Sequence, residues 1–259
     1  MMTPRKYMRS IWKGTIAFGL VNIPVKVYTA TRDHSISFHN LCPEHLTPLK
    51  YKRWCPEGEK EIDYRDMKKG YETGGQYVVI EPEDLDAVKM ESSHTIDIEK
   101  FVDSAEVPIL AYNSFYHLSP DKGGEKAYAL LHDVLTLTGK VGIGKVVLRS
   151  KEYIVGIKSY QKGIIMITLR YADEIVDINQ VLPDELPEAT EKEEDLAHTL
   201  LEKMSGSLTL SEYEDRYQKA VETLIEKKLK GEAVTVEKVK EAEETKNILK
   251  ALEESLEST

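Results

Sequence analysis

Residues 119–170 read SPDKGGEKAYALLHDVLTLTGKVGIGKVVLRSKEYIVGIKSYQKGIIMITLR. Ser119 to Gly124 is a turn cluster. Beyond it Ala127, Leu130, Leu131, Val134 and Leu135 recur at helical spacing, and Gly139 is placed to cap that helix. The pattern then switches. About Lys140–Arg149, Tyr153–Lys158 and Ile164–Arg170 are β-rich runs joined by Ser150-Lys151-Glu152 and Ser159 to Gly163, short enough for an antiparallel meander. Gly139-Lys140-Val141-Gly142-Ile143-Gly144-Lys145 lacks the order of a nucleotide P-loop and reads as a strand whose glycines admit a close neighbour.

Outward from this stretch the first 170 residues look mostly β. Ile11 to Phe18 is a first run. Gly19-Leu20-Val21-Asn22-Ile23-Pro24 reads as a bend, and Val25 and Val27 begin a second strand. Gln76–Ile80 is a short β-rich run before Glu81-Pro82-Glu83-Asp84, a helix opening, and Thr95 to Val102 alternates. Near Asp173 the character changes. Pro183 and Pro187 among many acids mark a linker, and two capping boxes, Thr190–Glu193 and Ser211–Glu214, open helices carrying Leu196, Leu200 and Met204, then Tyr217, Val221 and Leu224. A last charged stretch, about Val234 to Leu256, is thinly apolar.

The chain's net charge of −10 argues by itself against a nucleic-acid partner. Its distribution does not. Residues 1–60 hold 10 Lys+Arg against 4 Asp+Glu, and residues 121–170 hold 9 against 4. Residues 61–120 hold 5 against 13, and residues 171–259 hold 11 against 24. Two basic blocks sit in an acidic chain, and local patches decide whether phosphates can bind. No apolar run approaches a membrane span, Met1 to Arg9 has no apolar stretch of a signal peptide after it, and two cysteines make no disulfide framework, so a cytoplasmic protein is expected.

Six segments closely resemble prokaryotic Ku proteins, in that family's order over about residues 9–175. They are Arg9-Ser10-Ile11-Trp12-Lys13-Gly14-Thr15-Ile16-Ala17-Phe18-Gly19-Leu20-Val21-Asn22-Ile23-Pro24-Val25, Ile36-Ser37-Phe38-His39, Gly75-Gln76-Tyr77-Val78-Val79, Pro120 to Tyr128, Gly142 to Val147, and Leu169 to Glu174. The resemblance implies a mainly β fold with α: a Ku-type β-barrel core over residues 1–175, with projecting dimerisation and DNA-encircling arms at about 38–75 and 139–170. An acidic linker and helical C-terminal region fills 176–259. It implies a ring-shaped homodimer that binds double-stranded DNA ends irrespective of sequence and recruits an ATP-dependent ligase, with an end-joining polymerase as a further partner. No enzymatic activity, no cofactor and no membrane partner are expected, and the place of action is the nucleoid. The competing reading is a protein-interaction scaffold acting through the acidic helical tail without threading DNA.

Such a clamp needs Lys and Arg on phosphates, contacts that position a protein without conveying sequence. The candidates are Arg32, Lys50, Lys52 and Arg53, then Lys68 and Lys69, Lys122 and Lys126, and Lys140, Lys145 and Arg149, with Lys151, Lys158 and Lys162 also on the meander. Arg53 leads because Tyr51-Lys52-Arg53-Trp54 interleaves basic and aromatic residues. The meander is the expected dimer contact, through Val141, Ile143, Val146, Ile165 and Ile167. Cys42-Pro43-Glu44-His45 and Cys55-Pro56-Glu57-Gly58 look like half a zinc ribbon. Gly58 stands where a ligand would fall, whereas some prokaryotic Ku proteins carry a fuller cysteine set, so no metal is expected at Cys42, His45 and Cys55.

Overall fold

The computed structural model describes residues 8–33, 35–89, 94–232 and 252. The stretch Met1 to Tyr7 and all of Val234 to Leu256 except Leu252 lie outside the described residues. The strands are β1 (Trp12–Phe18), β2 (Val21–Thr29), β3 (Trp54–Cys55), β4 (Lys60–Glu61), β5 (Lys69–Thr73), β6 (Gln76–Ile80), β7 (Thr95–Asp103), β8 (Tyr112–Pro120), β9 (Lys140–Leu148), β10 (Lys151–Tyr160) and β11 (Gly163–Leu169). The helices are α1 (Pro82–Ala87), α2 (Glu125–Thr138), α3 (Glu191–Met204) and α4 (Arg216–Leu229). Residues 8–33 and 38–177 belong to one compact unit, and residues 35–37 and 178–252 to another.

Seven strands close a barrel in the order β1-β2-β8-β11-β10-β9-β7. Neighbours are antiparallel except β1 and β7, whose short parallel pairing seals the barrel at Thr15↔Thr95, Ile16↔Ile96 and Ala17↔Asp97. Gly14 makes the seal possible. A Cβ there would stand 2.1 Å from the His94 carbonyl oxygen and 2.1 Å from the Trp12 ring, so only glycine lets the start of β7 and the indole close over it. Gly144 does the same on the other side of β7. Its Cβ would meet the Asp97 carbonyl oxygen at 2.0 Å, beside the irregularity between Ile98 and Lys100. The glycine-rich opening of β9 is thus the close-approach strand that its sequence suggested.

Alternation fills the interior. Ile16, Ile23, Val25, Val27, Ile96, Ile98, Leu118, Val146, Val155, Ile157, Ile164 and Met166 point into one core. α2 lies across one end of the barrel and adds Tyr128, Leu131 and Leu135. Gly139, in the left-handed region, ends that helix and donates its N–H to the Leu135 carbonyl at 3.0 Å. The Tyr128 hydroxyl sits between two register partners. It donates to the Leu118 carbonyl at 2.7 Å and accepts from the Ile164 N–H at 2.8 Å, so it splices β8 to β11 where their own hydrogen bonding has opened. Burial holds its ionisation above the usual phenol range, and the Ile164 N–H partly offsets this.

Pro24 is no bend. Only Gly19 and Leu20 turn the chain, and Asn22, Ile23 and Pro24 continue β2 opposite Ala17, Ile16 and Thr15. A strand residue aims its nitrogen and carbonyl toward the same neighbour, and the Pro24 carbonyl accepts from the Asp121 N–H at 2.8 Å, just beyond the last β2–β8 pair, Val25↔Pro120. The missing donor of proline therefore falls where β8 has run out, so no ladder bond is lost. Lys26 clamps the same turn through Asp121 at 2.6 Å.

The meander is barrel wall and not a projecting arm, because all three of its strands are staves of the closed barrel. The link from β7 to β8 must bypass β9, β10 and β11. It runs over their far face, where Lys158 donates to Ser104 at 2.6 Å and the Arg170 N–H reaches the Ala111 carbonyl at 2.8 Å. Of the expected dimer-contact residues, Val146 is in the core, and Val141 and Ile167 are buried on the far face. Those three are occupied within the single chain. Ile143 and Ile165 remain half-buried.

In the second unit Thr190 and Glu193 form the expected capping box, with the Thr190 N–H donating to Glu193 at 2.8 Å. The second box is not used. Ser211 falls in a 3-10 turn, and α4 starts later, capped by Asp215, which accepts from the Gln218 N–H at 2.9 Å. Val221 is the one buried residue of α4, while Leu201, Met204, Leu208, Leu210, Tyr213, Tyr217 and Leu229 are exposed.

Candidate nucleic-acid interface

The barrel has two unlike ends. At one, α2 covers the interior. At the other β2 finishes and β7 begins, and the chain between them, residues 30–94, leaves and returns there. Of the described residues from 35 to 89 in this excursion, none is buried. Its elements are two small hairpins, β3–β4 and β5–β6, and the one-and-a-half-turn helix α1. Phe38, Leu46, Tyr51, Trp54, Tyr64, Tyr71 and Tyr77 all lie open. A two-stranded hairpin without a covering layer is marginal in water, and none of the described side chains of this segment, called the arm below, is buried.

Local contacts fix the arm's cations. The Lys52 ammonium donates to Glu61 at 2.7 Å across the β3–β4 hairpin. That hydrogen bond, then the carboxylate's charge, raises the Lys52 pKa above its ordinary value. Arg53 holds its guanidinium 5.0 Å from the centre of the Tyr64 ring, a cation–π contact that leaves its N–H edge available. Lys68 is paired with Glu81, and the same order of causes raises its pKa. Among the described residues Lys50 and Lys69 have no carboxylate partner. A cleft of about 590 Å³ between β5, β6 and α1 gathers Arg65, Lys68, Lys69 and Lys89 with Asp66, Glu81 and Asp86.

The sequence candidates do not form one surface. Arg32, Lys50, Lys52, Arg53, Lys68 and Lys69 are all in the excursion. Arg149 stands at the same end of the barrel, in the tight β9–β10 turn, where it and Ser150 both take positive φ. Lys122, Lys126 and Lys140 cluster at the opposite, α2 end, with Lys140 bonded to Asp103 at 3.1 Å. Lys145 lies mid-wall between Glu99 and Glu152, 3.8 Å from each. Arg65 and Lys89 were not singled out from the sequence, because the surrounding acids hide them in a local charge count. The arm end therefore collects eight of the fourteen candidates, among them Lys151, whose ammonium lies 5.3 Å from the Tyr153 ring centre.

The two cysteine turns are separate knuckles. The Cys42 thiol lies 3.5 Å from His45 Nδ1, and a Cβ on Gly58 would touch the Cys55 sulfur at 3.4 Å. Both thiols are free. Among the described residues no three His, Cys, Asp or Glu side chains are grouped to hold a metal ion. No described helix is long and apolar enough to cross a membrane.

With this geometry in view, the chain was compared with known proteins. The family model described as the Ku70/Ku80 beta-barrel domain matches residues 17–197. The non-homologous end joining protein Ku of Archaeoglobus fulgidus is 42% identical over 97% of this chain and 99% of its own length. The protein of that name from Bacillus subtilis is 36% identical over 97% of this chain and 83% of its own. The one from Mycobacterium tuberculosis is also 36% identical, over 96% and 95%.

Proposed function

This chain belongs to the Ku family, and on that footing we propose that it binds the ends of double-stranded DNA in non-homologous end joining, as a two-chain clamp that reads no sequence and catalyses no reaction. The observation that carries this reading is the arm. A segment with no buried side chain among its described residues from 35 to 89, leaving and rejoining a closed barrel at one end, has its purpose outside its own chain. A second copy supplies apolar cover for Phe38, Trp54, Tyr71 and Tyr77, and a duplex supplies the counter-charge for Lys50, Arg53, Lys69 and Arg149. Lysine and arginine contacts to phosphates give affinity without base readout, which suits a protein that must accept any break.

The exposed apolar residues of α3 and α4 also favour partners. Part of that surface serves the second copy. The rest, in a region of strongly negative charge, repels the duplex and docks the proteins that finish the repair, an ATP-dependent ligase and an end-joining polymerase. Action at the nucleoid follows from the DNA partner.

Stoichiometry on blocked DNA tests the proposal. A short duplex with bulky protein caps on both ends excludes a threading clamp, and cutting between the caps admits one clamp of two chains per new end. Uptake of the uncut, doubly capped duplex at equal affinity contradicts the reading. Sedimentation of the free protein as a monomer at micromolar concentration contradicts its two-chain part. Truncation from about Ala233 onward separates the roles of the tail: lost ligase stimulation with intact DNA binding supports docking, and tighter DNA binding supports repulsion.

A further inference from the structure

The arm end of the barrel holds a pocket that phosphate contacts alone do not use. About 240 Å³ in volume, it opens where β1, β8 and β10 begin and where β2, β9 and β11 end. That is below the roughly 300–1,000 Å³ of sites for drug-sized molecules, so it has room for one flat ring system and little more. Trp12, Tyr116 and Tyr153 give it aromatic walls, and Thr29, Ser114 and Arg149 give it polar ones. Among the described residues no carboxylate lines it, unlike the cleft between β5, β6 and α1, where three acids answer the cations.

The polar groups of the pocket are spare. Among the described residues the hydroxyls of Tyr116 and Tyr153 and the Arg149 guanidinium have no hydrogen-bond or ion-pair partner. The indole N–H of Trp12 is the one buried side-chain donor without a partner among the described residues. Such groups are rare, and one on a residue that walls a pocket points to an acceptor on a ligand. It is closed to solvent, so that acceptor meets it after a small shift of the wall. Arg149 is also placed at a cost. It and Ser150 are the two central residues of the β9–β10 turn, with φ of 51° and 69°. A two-residue turn with positive φ at both centres favours Asn-Gly. An arginine and a serine held there are strained, and such strain gathers at ligand clamps. The result is a guanidinium fixed by a tight hairpin at the lip of an aromatic pocket, with Lys151 as a second cation 5.3 Å from the Tyr153 ring centre.

Aromatic faces beside cations hold single-stranded nucleic acid: bases stack on the rings and phosphates meet the positive charge. We propose that this pocket takes one unpaired nucleotide at a DNA end, its base against Tyr116 and Tyr153 and its phosphate on Arg149. A base pair is too large to enter, so the pocket tells an overhang from a blunt end. It reads no sequence, since every base has a face to stack. The inference rests on the DNA-end clamp reading, which supplies the end, but the pocket itself can be filled without a clamp.

The test uses the full-length protein and a duplex closed by a hairpin at one end. The other end is blunt, or carries two unpaired nucleotides on the 3′ or the 5′ strand, or carries the same overhang without its bases. Fluorescence anisotropy should show an overhang bound about five-fold or more tighter than the blunt end, the low end of what one stacked base contributes. The baseless overhang, read on the unaltered protein, should lose most of that gain. In Tyr153→Leu overhang and blunt ends should bind alike. Trp54→Phe leaves Trp12 as the only tryptophan, so its emission reports entry into the pocket. Overhang ends and deoxyadenosine monophosphate should quench it saturably, and blunt ends should not. Blunt and overhang ends bound alike by the wild type, or a gain kept by the baseless overhang, overturns the proposal and leaves the clamp standing. Loss of binding to every end refutes the clamp reading. The monophosphate then decides the pocket alone, and Trp12 emission that it leaves unchanged overturns the proposal.

Discussion

Replacing Lys50, Lys52 and Arg53 together by glutamine removes three positive charges from the arm without disturbing a buried residue, since none of the three is buried. A two-chain clamp loses six. For duplex DNA the logarithm of affinity falls against the logarithm of salt concentration by about 0.9 per phosphate neutralised, so six lost contacts flatten that slope by about 5. Lys52 contributes less than a full contact, because its ammonium lies 2.7 Å from a Glu61 oxygen and its charge is already partly answered. With four full contacts the slope flattens by about 4. Raising salt from 50 to 200 mM then costs the wild type roughly a hundred- to a thousand-fold more affinity than it costs the variant. Fluorescence anisotropy on several short duplexes of unrelated sequence, at four salt concentrations, reads both quantities. The deficit should be the same for every sequence. A variant whose slope matches the wild type refutes the electrostatic role of this segment, and a deficit confined to some sequences refutes backbone-only contact.

Three further outcomes are expected. Glu61→Gln frees Lys52 and should tighten DNA binding while steepening the salt slope by up to about 2 for a two-chain clamp, again by anisotropy; weaker binding would mean the pair acts by holding the hairpin. Tyr128→Phe keeps the ring but strands the Ile164 N–H and the Leu118 carbonyl. At about 1–3 kcal/mol for each stranded group, less any relaxation, the loss is about 2–4 kcal/mol, and calorimetry should show the melting point down by roughly 5–10 °C. A shift under 1–2 °C contradicts the splice. His132 faces two acceptors, the Asp133 carboxylate at 3.1 Å and the Gln161 carbonyl at 3.1 Å, so both ring nitrogens carry protons only in the imidazolium. The Asp133 hydrogen bond, then the Gln161 carbonyl, raises its pKa above 6.5. A raised folded value means this stabilisation is complete below 6.5 and fades as pH climbs through the folded pKa. The advantage of wild type over His132→Gln in urea should therefore be larger at pH 5.5 than at pH 8.5, and an advantage independent of pH sinks the assignment.

The barrel was legible where pattern and punctuation coincide. The α2 helix with its Gly139 cap, the three strands after it and a strand over Thr95–Val102 stand as read, because periodicity and turn residues are local signals, but the alternation of Ile96 and Ile98 breaks at the irregularity before Lys100, so Val102 falls out of phase with them. Pro24 misled because proline's cost depends on whether a neighbour needs its N–H, and only the register shows that β8 stops one residue short. Strand β8 was missed. Tyr112–Pro120 has polar residues at outward positions and no flanking glycine, and its partners β2 and β11 are distant in sequence. The meander was read as an interface because its apolar content is high on both faces. Only the fold shows that the far face is covered by the β7–β8 link, a consequence of strand order that no local window contains. Among the site residues, Lys50, Lys52 and Arg53 were visible as a basic and aromatic run. Arg65 and Lys89 were hidden among acids, and the pairing of Lys145 between two glutamates, one on each neighbouring strand, depends on register alone.

The central claim is that ends are recognised by threading, and competition between linear and covalently closed circular duplex of identical sequence tests it most directly. A labelled short duplex is bound by the protein at fixed salt, and each competitor is added at equal nucleotide concentration. The account predicts that the linear form displaces the label in proportion to its number of ends, and that the closed circle barely competes until a nuclease cuts it. Equal competition by the intact circle would contradict threading and leave only a basic surface that adheres to any duplex.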